Sequence, residues 1–212
     1  LLFHKAAAAL GKPAFVIVDE AAWPDGLEGI DDTPMELPLD ALDEAVTVPG
    51  DRIGLDTSRL RAAHAAVRAA LNKHPDGNLQ RDIMVAAGIS ADTGRDGYAL
   101  SWRRVIRPEL TPGMDPAERR ALVKAAVGNK TAMRLARLFG ALEALMQPDG
   151  PKASGWITLG WKDTDAGPVR VLRLRGRRKI AKPWNTTPTL ILDATLNMSL
   201  VRPYWPQVQV TA

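Results

Sequence analysis

Apolar positions recur along the chain with two periods, which divide it into strand-like ends and a helical middle. Ala14 to Val18 is a short, wholly apolar run rich in β-branched residues, and it predicts a buried strand of a parallel sheet. Gly11-Lys12-Pro13 separates it from the Ala- and Leu-rich stretch Leu1–Leu10, which is helical in character. Thr189 to Leu192, after Pro188, predicts a second short buried strand. Each of these two runs ends in an acid: Asp19-Glu20 after the first, Asp193 after the second.

The middle follows the helical period. Asp25 to Asp51 carries prolines at 34, 38 and 49 and predicts a long connection with a short helix near Leu39 to Ala45. Asp56-Thr57-Ser58 offers N-caps for a helix over Arg59 to Asn72, where Leu60, Ala63, Val67 and Leu71 share one face. A second helix is expected over Asn78 to Ala87, closed by Gly88. A third is expected from Ser90 to about Val105, weakened by Gly94 and Gly97. Asp115-Pro116 opens a fourth with proline at its first position, and Asn129 to Met146 forms the longest. After Pro148-Asp149-Gly150-Pro151 the period changes. Gly155–Trp161 and Val169–Arg175 read as a hairpin around Asp165-Ala166-Gly167.

Composition narrows the classes. At 46% hydrophobic and 25% charged residues, the 212-residue chain can bury a core of its own. No apolar run approaches the ~18 residues of a membrane span and no signal peptide opens the chain, so a cytoplasmic protein with no membrane partner is expected. With no cysteine, disulfides and thiolate metal sites are excluded, and His4, His64 and His74 show no ligand spacing. His64, alone among alanines, reads as a surface or packing residue. The net charge of +4 is unevenly placed. Asp19 to Asp56 is acid-rich with Arg52 as its one base, while Arg170 to Lys182 holds seven bases and no acid. That late run suggests a polyanion partner. Arg173, Arg175, Arg177, Arg178, Lys179 and Lys182 can neutralise phosphates, and Trp184 can stack on an unpaired base. The clusters Arg103, Arg104, Arg107 and Arg119, Arg120, Lys124 read as solvated helix faces.

The acid-terminated strands carry the chemistry. Phe15-Val16-Ile17-Val18-Asp19-Glu20 has the form of a Walker B strand, which projects two carboxylates into the crevice where open α/β sheets bind ligands. Asp19-Glu20-Ala21-Ala22 resembles the DEAD/DEAH box of superfamily 2 helicases, and Thr189 to Asn197 (TLILDATLN) resembles their motif III in its DinG-like form. Ala22 stands where that family has His or Asp, and Asp193 where it has Ser. The resemblance covers about 20 residues at each end.

That resemblance implies an α/β fold: a RecA-like (P-loop NTPase) parallel sheet fragment, interrupted by a mainly helical insertion with a small β-hairpin. The divisions expected are residues 1–35 (core with the Walker B strand), 36–150 (helical insertion, similar in position to the arch of DinG-like helicases), 151–187 (basic hairpin) and 188–212 (core with motif III). It implies an enzyme that couples ATP hydrolysis to movement on single-stranded DNA, with ATP and Mg²⁺ as cofactors. Asp19 would hold Mg²⁺, Glu20 would be the general base, and Asp193 and Thr195 would couple hydrolysis to movement. Protein partners are expected through the helical insertion. No GxxxxGK followed by Ser or Thr occurs. The nearest string, Lys124 to Thr131, has Lys124 and Asn129 at the glycine positions and reads instead as a helix start capped by Asn129. The chain is therefore expected to be an internal piece of a longer protein and inactive alone. The alternatives are a non-catalytic nucleic-acid-binding module and a replication-accessory protein of a mobile element.

Overall fold

The computed structural model describes residues 11–19, 26–29, 35–180, 184–193 and 197–210. The Leu1–Leu10 helix expected from the sequence lies outside them, as do Glu20, Lys182 and Thr195. The elements are β1 (Val16–Asp19), β2 (Leu27–Glu28), β3 (Met35–Pro38), α1 (Leu55–Lys73), β4 (Gly77–Gln80), α2 (Arg81–Ala86), α3 (Ala91–Arg103), α4 (Pro116–Ala125), α5 (Asn129–Met146), β5 (Ala153–Thr164), β6 (Gly167–Leu174), β7 (Gly176–Arg177), β8 (Thr189–Leu192) and α6 (Met198–Val201). This is a mixed α/β chain with three short sheets, one of them parallel, and no closed barrel among the described residues. It divides into a terminal unit, Leu1–Asp32 with Gly176–Ala212, and a central unit, Thr33–Arg175.

The central unit is one layer of helices on one face of a four-stranded antiparallel sheet ordered β3-β6-β5-β4. The hairpin expected from the sequence is the middle of that sheet. Ile157 pairs with Leu174 and Leu159 with Leu172, and all four are buried against Leu138, Phe139 and Leu142 of α5 and Val67 and Leu71 of α1. The opposite face carries an ion-pair ladder, with Glu36 of β3 accepting from Lys162 and lying 3.5 Å from Arg173. This two-sided strand explains the imperfect apolar alternation of β6, where Val171 is buried on one face and Leu172 and Leu174 on the other.

Several boundaries differ from expectation. β3 forms within what reads as a connection, because Met35–Pro38 pairs with β6. The expected helix over Asn78–Ala87 begins as strand β4, whose Asn78 pairs with Thr158, and turns helical at Arg81. Edge pairing supplies the backbone bonds that a short isolated helix would have to nucleate for itself. α1 starts at Leu55 after left-handed Gly54 (φ 73°), so Thr57 is inside the helix. There its hydroxyl accepts from Val48 N and its own N–H donates to Asp51. α3 has a capping box built from Ser90 and Thr93, and Asp115 Oδ1 caps α4 through Ala117 N at 2.8 Å.

Gly94 and Gly97 are where α3 and α5 meet, and so do more than weaken a helix. A Cβ at Gly97 would lie 2.2 Å from the Phe139 ring, and one at Gly94 2.5 Å from the Glu143 nitrogen. Ser101, one turn on, is fully buried.

Arg170 of β6 closes the end of α1. Its guanidinium donates to the carbonyls of Leu71 (3.0 Å), Asn72 (3.3 Å) and His74, and to Asp76 Oδ1 (3.1 Å). These carbonyls include acceptors left without intrahelical partners where α1 ends. The buried His74 ring completes the corner. Its Nε2 accepts from Gln80 N at 2.8 Å, so Nδ1 carries the proton and donates to the Pro75 carbonyl. Replacing Arg170 with alanine is expected to cost about 2–3 kcal/mol in urea unfolding, because several charge-assisted bonds go at once. Lysine at this position should restore less than half of that, since one ammonium cannot span the fork. A loss under about 0.5 kcal/mol would show the clamp to be dispensable.

Candidate nucleotide and nucleic-acid site

The terminal unit is built on β1 and β8, far apart in sequence and paired in parallel: Val16 opposite Thr189, Ile17 opposite Leu190, Val18 opposite Ile191, Asp19 opposite Leu192. The segment before β8 is tied to the one before β1. Trp184 Nε1 donates to the Gly11 carbonyl (2.9 Å), Thr187 Oγ1 to Pro13 (3.4 Å), and Val16 N to Pro188 (3.0 Å). Val16 and Val18 are buried with Ile180, against Trp184, Ile191, Tyr204 and Trp205. β2 and β7 form a second, antiparallel pair in this unit. There the Gly26 carbonyl accepts from both Arg178 N (2.8 Å) and Tyr204 Oη (3.1 Å).

Because the pair is parallel and in register, both carboxyl ends leave the sheet on the same edge. Asp19 ends β1 there and is exposed, and Asp193 follows β8 directly and is half-buried. Glu20 and Thr195, expected as general base and coupling residue, lie outside the described residues. The strands are not buried on both faces as expected from their composition. Ile17, Leu190 and Leu192 are 61%, 44% and 49% exposed, so only one face of the pair is covered.

Among the described residues no three His, Asp or Glu side chains come together as a metal site. The exposed Asp19 could supply one carboxylate to a divalent cation. Among the described residues the string nearest to a phosphate loop does not have the shape of one. The Lys124–Thr131 string runs through the end of α4, a 3-10 turn (Ala126–Gly128) and the start of α5, with Gly128 at φ −68° and ψ −9°. A helical backbone cannot form the anion nest of a phosphate loop. Asn129 is not a cap either. Its side chain accepts from Ile106 N (2.8 Å) and donates to the Ile106 carbonyl (2.7 Å), pinning the chain after α3 to the start of α5.

The basic run is shared between the two units. Arg173 and Arg175 belong to the central unit; Arg177, Arg178, Lys179 and Trp184 belong to the terminal unit; Lys182 is outside the described residues. Arg173 is engaged by Glu36 and by the Trp161 carbonyl (2.9 Å), Arg178 by Glu28 (3.4 Å), and Arg177 sits 6.0 Å over the Tyr204 ring. Arg175 and Lys179 present exposed side chains. Sequence reading missed the Arg177–Tyr204 contact, since no local spacing joins the two residues.

The fold and site thus define a mixed α/β chain whose parallel strand pair sets two carboxylates on one edge. No family model, curated protein or solved structure matches the chain. No helix among the described residues is long and apolar enough to cross a membrane.

Proposed function

We propose that this chain is part of an ATP-dependent DNA helicase or translocase, its terminal unit a portion of a RecA-like sheet and its central unit an insertion between two strands of that sheet. The carrying observation is the in-register parallel pairing of β1 and β8, which puts Asp19 and Asp193 at the carboxyl edge where α/β sheets bind ligands. The open apolar face of the pair supports the same reading, because parallel strands belong to sheets covered on both sides. Magnesium-bound ATP supplies the phosphoryl chemistry. Asp19 would help to hold the metal, Glu20 would accept a proton from the attacking water, and Asp193 with Thr195 would relay the nucleotide state. Arg175 and Lys179 are the members of the basic run best placed to meet single-stranded DNA, and a phosphate loop is contributed from outside these 212 residues.

The test is Glu20→Gln in the intact protein. ATP hydrolysis should fall by about 10²-fold or more with single-stranded DNA affinity unchanged. Unchanged hydrolysis would remove Glu20 from the mechanism and with it the motor reading.

A non-catalytic nucleic-acid-binding module is the second reading, favoured by the exposed Arg175 and Lys179 and by the absence of a phosphate-loop motif from the sequence. On that reading a double charge reversal at Arg175 and Lys179 abolishes DNA binding, while Asp19→Asn changes nothing.

A further inference from the structure

α4 is a ten-residue helix with no buried residue. It is joined to α5 by the 3-10 turn, with right-handed backbone at Ala125, Ala126, Gly128 and Asn129. Burial begins only within α5, at Ala132. A helix this short holds poorly in water without a surface to pack on. Val123 of α4 and Val127 of the 3-10 turn, four residues apart, are nevertheless 52% and 74% exposed. Arg119 and Arg120 lie a turn before Val123, Lys124 beside it, and Lys130 a turn after Val127. None of these four side chains has an ion pair or hydrogen bond among the described residues, and from Arg119 to Leu142 the chain has no acid at all.

We propose that α4 and the turn after it form the docking arm for an acidic amphipathic helix of a partner protein. The partner's apolar stripe would lie on Val123 and Val127, and its carboxylates on Arg119, Arg120, Lys124 and Lys130. The charge identifies an anionic occupant. The apolar groups identify protein over nucleic acid: they are aliphatic at helical spacing, which fits a helix-on-helix seam, and they offer no ring on which a base could stack. This inference is independent of the nucleotide reading, since it uses only the central unit.

The probe is a synthetic 18-residue peptide with leucines at i, i+3, i+4 and i+7 and glutamates on its flanks, titrated into the full 212-residue chain by fluorescence anisotropy. Controls are an oligo-glutamate of equal charge and an 18-nucleotide oligo-dT. Binding on the order of 10 µM is expected, weakened about tenfold or more by V123D/V127D and likewise by R119E/K124E/K130E. The urea midpoint should not move, because every altered side chain is exposed. No peptide binding overturns the proposal. So does oligo-glutamate or oligo-dT binding as tightly as the peptide with no sensitivity to V123D/V127D. A dimer of the chain that V123D/V127D dissociates would make the occupant a second copy and overturn the acidic partner.

Discussion

Gly94→Ala is expected to destabilise the central unit by about 2–3 kcal/mol, although alanine is the better helix former by about 1 kcal/mol. The added Cβ would sit 2.5 Å from Glu143 N and 2.6 Å from its Cα, and backbone cannot rotate away as a side-chain tip can. Gly97→Ala should behave alike, because the Phe139 ring it meets is fully buried and has nowhere to go. Gly128→Ala is the control. That glycine has ordinary helical φ and nothing within 4 Å of its Cβ, so the substitution should be neutral or stabilising by up to about 1 kcal/mol. Urea unfolding followed at 222 nm reports mainly on the central unit, which holds every described α-helix except the four-residue α6. If Gly94→Ala and Gly128→Ala shift the midpoint equally, α3 and α5 do not approach as closely as the structure has them.

Acidification should weaken the same unit through His64. This ring is 2% exposed, stacks on Phe139 with centroids 5.6 Å apart, and has no hydrogen bond at either nitrogen. Burial, reinforced by the Arg104 guanidinium, pushes its pKa down to about 4. The unfolded chain therefore binds the proton first. The stability is fully present above pH 6.5 and is lost as pH falls toward about 4, for a total of about 3 kcal/mol. Between pH 7 and 5, where most carboxylates stay ionised, the wild type should lose about 2 kcal/mol more than His64→Leu does. Equal losses would mean that His64 is hydrated or paired in the folded protein.

Local chemistry in the sequence determined a good part of this. Asp115-Pro116 starts α4 as capping requires, because proline at the first helical position gives up no bond and the carboxylate accepts two free N–H groups. Asp165-Ala166-Gly167 turns the β5–β6 hairpin, with Gly167 at φ 110° where a side chain would be strained. The two apolar runs ending in acids are strands, as β-branched composition predicts. Their Asp19 and Asp193 were legible as candidates for the same reason, since a strand end in an apolar run is where an acid stands out.

What only the tertiary structure decided depends on partners remote in sequence. The helix period of Asn78–Ala87 gave way to strand pairing at its start because β5, some 75 residues later, offers backbone donors and acceptors. Gly94 and Gly97 look like helix weakeners in a one-dimensional reading; the reason for them is a facing helix whose backbone leaves no room for a methyl. A histidine among alanines carries no local sign that α3 and α5 will bury it beside an arginine. The basic run reads as one patch because charge is counted along the chain. In space it is divided between two units and partly neutralised by Glu28 and Glu36, since an ion pair forms with whatever the fold brings within reach.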